Sequence, residues 1–309
     1  MTHAGLCSII KNTAQAMFYC LTGPGCLTFE QYTSMINTIT CVFVFWSLFM
    51  HHLFMPQSQL KNGGRQLRIT GDDYHHIVRV LRMKTGDELS VSVTDVENGD
   101  AAAEYRYGID AITEREVVCT LRFIKEEDRE LPAKISLLQC LPKGDKMEQI
   151  IQKAVELGVY EVIPVSARRC VVRLDETKAK TKVARWRKIA EAAAMQSKRG
   201  IIPEIREVMT VDEALSYASD CDLKLIPYEL SAVKEDAEGG IAKTKHLIGS
   251  IREGWRIAVM IGPEGGFDEA EVARALDAGF EDVSLGRRIL RTETAGPAVL
   301  AWMMFHLEE

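Results

Sequence analysis

Several patterns that commonly reveal a function are missing from this sequence. Cysteine accounts for only 8 of the 309 residues, far below the density of a disulfide-stabilised domain. No CxxC pair and no Cys/His spacing typical of a metal site occurs, so we expect no bound metal. A basic export signal with a small-residue cleavage site is also missing. Together with the scattered thiols, this favours the cytoplasm.

Signatures of nucleotide cofactors are missing as well. No strand is followed by GxGxxG, and no glycine-rich loop ends in Gly-Lys-Ser or Gly-Lys-Thr. These absences argue against NAD and ATP as the natural ligands. The net charge of −6 argues against a wholly basic nucleic-acid binder, although it allows a local basic surface.

Charge is almost absent from the first 49 residues, where only Lys11 and Glu30 are charged. Their longest apolar run, residues 39–50, is shorter than the ~20 residues that a transmembrane helix needs, so we expect no membrane span. We interpret residues 1–49 as a non-native or disordered leader, with the protein proper beginning at Met50. A weak interfacial membrane anchor is the alternative.

The rest of the chain divides by its periodicity into two regions. Residues 50–128 are β-rich, with an alternating ELSVSV strand, an Asn-Gly hairpin turn and one helix that we expect Asp72 to cap. Residues 129–309 alternate between strands and helices, which predicts a mainly parallel α/β sheet. The predicted helices include residues 178–199, 211–218, 268–278 and 295–307. Residues 231–250 are expected to form a surface excursion.

One segment of this acidic chain is strongly basic. Residues 168–199 contain three acidic and eleven basic side chains: Arg168, Arg169, Arg173, Lys178, Lys180, Lys182, Arg185, Arg187, Lys188, Lys198 and Arg199. Such a patch suits RNA, because Lys and Arg contacts to phosphates dominate the affinity for polyanions. The alternative is a solvated helix face, which fits Lys178, Lys182 and Arg185. Arg168 and Arg169 instead follow a strand, where the sites of open α/β sheets gather.

Two segments near the C-terminus suit a ligand pocket. MIGPEGGF (260–267) follows a strand and precedes a helix, so glycines and free N–H groups would allow close approach to a ligand. SLGRRILRTETA (284–295) places three arginines beside apolar residues and two threonines, as at the edge of a pocket. A plain turn and a polar loop before the last helix are the structural alternatives.

These two segments, with LPKGDKMEQIIQKAVELGV and RRCVVRL, resemble the SPOUT class of RNA methyltransferases. The resemblance extends from about Met50 to the C-terminus and is most specific to the bacterial family that methylates N3 of a uridine in 16S ribosomal RNA. It implies a PUA-like β-barrel over residues 50–128 and an α/β domain with a deep trefoil knot over residues 129–309, an exception to the rule against threaded chains. It also implies a homodimer with the cofactor pocket at the interface.

S-adenosylmethionine is the cofactor that the resemblance implies, held by three loops of the knot. The first loop would contribute Leu225, Pro227, Tyr228 and Glu229. The second would contribute Ile261, Gly262, Pro263, Glu264, Gly265 and Gly266. The third would contribute Leu285, Gly286, Ile289, Leu290, Arg291, Thr294 and Ala295. Apolar side chains and nearby amides of the third loop would suit the adenine ring.

Uridine N3 carries a proton and lies on the Watson–Crick edge, so the target base must be unpaired or flipped. We expect Arg291 to stabilise the developing uridine anion and Glu293 or Glu264 to accept the proton. Bracing of the loops is the alternative role for both carboxylates.

The expected partner is the 16S rRNA of the small ribosomal subunit, and the expected RNA contacts lie in both domains. These contact residues are His52, Arg79, Arg82, Arg168, Arg169, Arg173, Lys198 and Arg199. Two other functions stay open at this point. One is a SPOUT enzyme acting on another RNA or on a ribose 2′-hydroxyl, and the other is a non-catalytic RNA-binding module.

Overall fold

The fold is that of a computed structural model, which describes residues 51–94, 104–125, 129–228 and 237–308. The predicted leader (1–49) and the predicted cofactor residue Glu229 lie outside these ranges. The described chain builds two β-sheets, each with its own hydrophobic core. None of its helices is long and apolar enough to cross a bilayer.

The first sheet has six strands in the order β1-β4-β5-β6-β3-β2. They are β1 (His52–Met55), β2 (Leu60–Lys61), β3 (Gln66–Ile69), β4 (Glu88–Val93), β5 (Glu104–Ile112) and β6 (Val117–Lys125). Only β1 and β4 are parallel, and the other pairs are antiparallel. The predicted β-rich region is confirmed, since apolar side chains from alternate positions of these strands fill one core.

One short helix, α1 (Gly71–His75), lies on this domain and continues as a π-helical turn, His76–Val80. The prediction that Asp72 caps it is wrong, because Thr70 occupies the N-cap position and the helix begins at Gly71, two residues earlier than a cap at Asp72 implies. Asp72 lies in the first turn, where a carboxylate interacts favourably with the helix dipole.

The second sheet is parallel throughout, with the order β10-β8-β7-β12-β11-β13 and β9 beside β8. Its strands are β7 (Lys134–Cys140), β8 (Glu161–Ser166), β9 (Glu204–Ile205), β10 (Met209–Thr210), β11 (Leu223–Pro227), β12 (Arg256–Ile261) and β13 (Glu281–Val283). This confirms the predicted parallel α/β sheet. Its central strands β7 and β12 are buried at every position after the first, as is usual for a parallel sheet that is covered on both faces.

Among the described residues, six helices accompany this sheet. They are α2 (Lys146–Glu156), α3 (Glu176–Ser197), α4 (Val211–Tyr217), α5 (Ala237–Gly249), α6 (Glu269–Asp277) and α7 (Thr292–Leu307). Three of them are preceded by an N-cap residue whose side chain accepts a backbone N–H: Asp175, Thr210 and Asp268. Such caps explain why the helix starts could be approximated from sequence, since Ser, Thr and Asp satisfy N–H groups that have no partner within the helix.

The prediction of a surface excursion over residues 231–250 is wrong for its described part. Helix α5 covers most of it and buries Thr244 and Ile248. The Thr244 hydroxyl accepts a hydrogen bond from the Ser284 N–H at 3.1 Å and lies 2.9 Å from the Ser284 carbonyl oxygen. The helix therefore supports the loop that follows β13.

The two domains meet through β1 and α3. Leu53 and Met55 of β1 enter the core of the first sheet, whereas Phe54 enters the core of the second. Met195 of α3 packs against both cores. Alternation along one strand thus joins the domains, because successive side chains point to opposite faces.

Candidate functional site

A cavity of about 900 Å³ lies where the chain leaves the carboxyl ends of β11, β12 and β13. Ligand sites of open α/β sheets lie in this position, and 300–1,000 Å³ is a common size for them. Its lining comprises Lys146, Arg169, Pro227, Tyr228, Ile261, Gly262, Pro263, Glu264, Gly265, Gly266, Phe267, Val283, Ser284, Leu285, Gly286, Arg287, Arg288, Ile289, Leu290, Arg291, Thr292 and Ala295. The two segments singled out from sequence therefore lie on one cavity.

The turn after β12 requires glycine at two of its positions. A Cβ at Gly262 would lie 3.1 Å from the buried ring of Phe267. Gly266 has a φ of +68°, in the left-handed region that favours glycine, and its N–H donates to the Pro263 carbonyl at 2.9 Å. Close packing against Phe267 and a left-handed backbone therefore favour glycine at these two positions of the turn.

The loop after β13 forms the opposite wall of the cavity. Gly286 has a φ of +108°, and its N–H donates to the Ser284 hydroxyl at 3.3 Å. Ile289 is 80% exposed, which is unusual for an isoleucine, while Leu290 is half-buried. The loop thus presents apolar side chains to the cavity mouth and cationic ones beside them.

A hydrogen-bonded chain connects the glycine turn to the start of α7. The Thr292 hydroxyl donates to the Gly262 carbonyl at 2.7 Å and accepts from the Gln139 side-chain amide at 2.9 Å. Gln139 is fully buried at the end of β7. A buried network of this kind holds the two walls of the cavity in a fixed relation.

Lys146 forms a second connection between the same walls. Its Nζ lies 3.0 Å from a Glu264 carboxylate oxygen and 3.2 Å from a Glu293 carboxylate oxygen. The Lys143 backbone N–H also donates to Glu264, at 3.1 Å. Contacts with Glu264 and then with Glu293 raise the pKa of Lys146, so the ammonium is charged at neutral pH.

The loop after β8 is braced against the glycine turn. The Arg168 N–H donates to the Glu271 carboxylate at 2.7 Å, and the Arg168 guanidinium lies 3.4 Å from Asp268. The Arg169 guanidinium donates to the Gly265 carbonyl at 3.4 Å. The basic segment therefore begins directly beside the cavity.

Comparison with known proteins identifies the family. A family model described as an RNA methyltransferase domain matches residues 129–304, and one described as an RNA methyltransferase PUA domain matches residues 69–102. The ribosomal RNA small subunit methyltransferase E of Bacillus subtilis (strain 168) is 38% identical over 240 residues, covering 78% of this chain and 90% of that protein. The chain belongs to the ribosomal RNA small subunit methyltransferase E family.

Two solved structures are similar to this chain. The methyltransferase E of Neisseria gonorrhoeae, bound to S-adenosylmethionine, is 31% identical with a TM-score of 0.66, covering 82% of this chain and 96% of that one. A methyltransferase from Legionella pneumophila, in complex with the same cofactor, is 31% identical with a TM-score of 0.67. The match covers 82% of this chain and 96% of that one. The SPOUT fold and the PUA-like domain implied by the resemblance are therefore confirmed, while the trefoil knot stays a prediction.

In this family member, most of the predicted cofactor residues line the cavity. They are Pro227, Tyr228, Ile261, Gly262, Pro263, Glu264, Gly265, Gly266, Leu285, Gly286, Ile289, Leu290, Arg291 and Ala295. Leu225 does not line it, because its side chain is fully buried inside the sheet. Thr294 does not line it either, because it lies on the exposed side of the first turn of α7.

Other lining residues were not predicted as part of the cofactor site. They are Lys146, Arg169, Phe267, Val283, Ser284, Arg287, Arg288 and Thr292. Most are neighbours of predicted residues, and extending each motif by one or two positions would have included them. Lys146 is different, since it reaches the cavity from α2.

Two of the predicted RNA contacts are wrong. Arg199 is only 4% exposed, and its guanidinium pairs with Glu130 while donating to the Val155 and Val159 carbonyls at 3.2 and 2.6 Å. His52 is 7% exposed, its Nδ1 bonds to the Ser90 hydroxyl at 2.8 Å, and burial lowers its pKa to about 4. A buried arginine with internal partners and a neutral buried histidine do not present charge to a phosphate.

The other predicted RNA contacts are accessible to solvent. Arg79, Arg82, Arg168, Arg169 and Arg173 are exposed, and Lys198 is half-buried. On α3, by contrast, four basic side chains form surface ion pairs: Lys178 with Asp175, Lys180 with Glu176, Arg185 with Glu148, and Arg187 with Glu207. These pairs fit the alternative of a solvated helix face for the middle of the basic segment.

No group of three or more metal-ligating side chains is found in the described residues.

Proposed function

We propose that this protein transfers the methyl group of S-adenosylmethionine to N3 of a uridine in 16S ribosomal RNA. The observation that carries the proposal is the single cavity formed by the two family motifs, MIGPEGGF and LGRRILRTETA. Relatives with this fold and about one-third identity hold S-adenosylmethionine.

The residues present suit this cofactor. Backbone groups of the turn at Gly262–Gly266 can meet its polar atoms, because a Cβ is missing where the ligand must approach closely. Ile289 and Leu290 offer apolar surface of the kind that adenine needs. Bound S-adenosylmethionine supplies an electrophilic methyl group on a positively charged sulfur.

The chain's own residues then act on the uridine. Arg291 lines the cavity with a permanent positive charge, which stabilises the anion that develops as the N3 proton leaves. Glu293 accepts that proton. Holding the methyl group and N3 in line supplies most of the acceleration, which for well-oriented reactants amounts to ~7–11 kcal/mol.

The exposed arginines bind the RNA backbone. Arg79 and Arg82 of the PUA-like domain, with Arg168, Arg169 and Arg173 beside the cavity, contact phosphates, as does the half-buried Lys198. Because such contacts release counterions, the affinity falls as the salt concentration rises. The cytoplasm, where bacterial ribosomes assemble, is the proposed location.

A homodimer completes the proposal. Ile289 is 80% exposed and Phe305, on α7, is 69% exposed, so large apolar side chains face solvent at both ends of the segment that borders the cavity. A second copy of the chain is the occupant that we assign to this surface.

We expect Phe305→Glu to shift the protein from dimer to monomer, because a charge in an apolar interface loses its hydration without gaining a partner. Sedimentation velocity measures the change. Leu276→Glu is the matched control, since Leu276 is also exposed (44%) but lies on α6. A dimer that survives Phe305→Glu would place the interface elsewhere.

Two measurements test the proposed function. Isothermal titration calorimetry should show saturable binding of S-adenosylmethionine to the full chain. Mass spectrometry of 16S rRNA nucleosides should show N3-methyluridine lost in a deletion strain and restored by the gene. Binding without this loss would favour another RNA or a ribose 2′-hydroxyl as the target. A failure to bind the cofactor would leave a non-catalytic RNA-binding module.

A further inference from the structure

Lys146 is the one residue of α2 that lines the cavity. It is the first residue of that helix, next to the end of β7. Its ammonium lies between two carboxylates from different loops, at 3.0 Å from Glu264 and 3.2 Å from Glu293. All three side chains are partly buried, with exposed fractions of 30%, 25% and 18%.

The two carboxylates belong to elements that are distant in sequence. Glu264 is part of the glycine turn after β12, and Glu293 is part of the first turn of α7. Each of these elements lines the cavity. A lysine that contacts both therefore connects three segments of the cavity wall at a single point.

The charged groups that face Glu293 come from each element packed against it. They are Lys146 from α2, Arg291 from the preceding loop and, across Lys146, Glu264 from the glycine turn. Without Lys146, two carboxylates would remain on the same wall with no cation between them. Like charges this close oppose each other's ionisation.

We propose that Lys146, which lines the cavity, is a positioning residue that fixes Glu293 beside the cavity and keeps it ionised as the acceptor of the uridine N3 proton. The inference rests on the proposed function. In the reaction the N3–H bond breaks toward the Glu293 carboxylate, the N3–CH₃ bond forms, and the S–CH₃ bond breaks. The sulfonium becomes a neutral thioether, S-adenosylhomocysteine, and the proton later passes to solvent.

The direction of the pKa values agrees with this role. A hydrogen bond from its own backbone N–H lowers the pKa of Glu293, and the Lys146 ammonium lowers it further. Burial would raise the pKa of Glu264, but hydrogen bonds from its own N–H, from Lys143 and from Lys146 bring it below its ordinary value. Loss of the ammonium therefore raises the pKa of both carboxyls.

Lys146→Met tests the proposal, because methionine keeps the length of the side chain and removes its charge. Single-turnover methyl transfer to 16S rRNA is measured across a pH series at saturating S-adenosylmethionine. We expect the rate to fall by up to about 100-fold, which is the lower end of the rate acceleration that a positioned general base supplies. We also expect the acidic limb of the pH profile to move to higher pH, since a carboxyl with a raised pKa is protonated sooner as the pH falls.

Two further variants separate positioning from a general loss of charge. Lys146→Arg keeps the cation and should restore much of the rate and the wild-type pH profile. Lys143→Met removes an exposed lysine from the same loop but leaves its backbone N–H on Glu264, so it should behave as wild type. Thermal unfolding of each variant shows whether the fold is retained.

The outcomes distinguish this inference from the proposed function. If the wild-type protein neither binds S-adenosylmethionine nor methylates rRNA, the proposed function fails. If the wild type is active but Lys146→Met keeps its pH profile, the inference is overturned. It is equally overturned if Lys146→Met weakens cofactor binding at every pH without moving the acidic limb, because Lys146 would then only brace the loops.

Discussion

Arg291→Ala is expected to lower the single-turnover rate of methyl transfer by about 10²–10³-fold, the usual effect of removing one preorganised donor from a developing anion. Arg291 lines the cavity and is the N-cap residue of α7, but its side chain makes no cap hydrogen bond. Its carbonyl accepts from the Thr294 and Ala295 N–H groups, and alanine retains that carbonyl. The substitution should therefore leave the helix start intact and remove only the charge.

The measurement uses saturating S-adenosylmethionine and excess enzyme, so that product release does not limit the rate. Although Arg291 also lines the cofactor cavity, cofactor affinity should change less than the rate, because the proposed interaction with the uridine strengthens only as the base loses its proton. Arg288→Ala is the control, since Arg288 is an exposed arginine on the same loop and also lines the cavity. An equal loss in both variants would mean that the loop needs positive charge in general, and an unchanged Arg291→Ala rate would remove Arg291 from the chemistry.

The cavity walls were predictable because short motifs encode them locally. A strand end, a glycine with positive φ and a following helix occupy neighbouring positions in the chain, so MIGPEGGF already contains the turn at Gly262–Gly266. The resemblance to a known family then brought this turn together with the Gly286–Leu290 loop. Composition and periodicity alone did not imply that contact, which depends on the order of strands in the sheet.

Lys146 was missed because its role depends on partners far away in the chain. Glu264 follows it by 118 residues and Glu293 by 147. The helical pattern of MEQIIQKAVELG indicates which side of α2 is apolar, but not where the first residue of the helix points. The presence of Lys146 within a family motif was the one signal available.

The surface excursion predicted for residues 231–250 was wrong for their described part, residues 237–250, for a related reason. Glycines and mixed charges are typical of loops, yet α5 buries Thr244 and Ile248 against the sheet and supports Ser284. Tertiary packing overrides a weak local preference in such a segment. The sequence pattern contained no indication that the loop after β13 needed this support.

A count of basic residues likewise cannot separate exposed from buried cations. Arg199 follows Lys198, which adopts a left-handed conformation (φ +59°) at the end of α3 and turns the chain back toward the domain. The partner of Arg199, Glu130, lies 69 residues earlier, in the segment that joins the two domains. A basic run at a helix end therefore combined RNA-facing candidates with one arginine that joins parts of the fold.

Arg199→Ala is expected to destabilise the protein by about 3–5 kcal/mol, the usual cost of breaking a buried ion pair. The guanidinium is almost completely buried, pairs with Glu130 and satisfies the carbonyls of Val155 and Val159. Alanine would leave those carbonyls without this donor. It would also remove the positive charge that pairs with the half-buried Glu130 carboxylate. Urea unfolding followed by circular dichroism gives the free energy, and the melting temperature should fall by roughly 6–20 °C.

Lys188→Ala is the matched control, because Lys188 is an exposed cation on α3, the helix that ends just before Arg199. It should change the free energy of unfolding by no more than about 0.5 kcal/mol, as is usual for a surface position. If Arg199 instead bound RNA, Arg199→Ala would keep its stability and show weaker, less salt-dependent RNA binding. The two results are opposite, so one pair of unfolding and binding curves decides whether this arginine belongs to the fold or to the RNA surface.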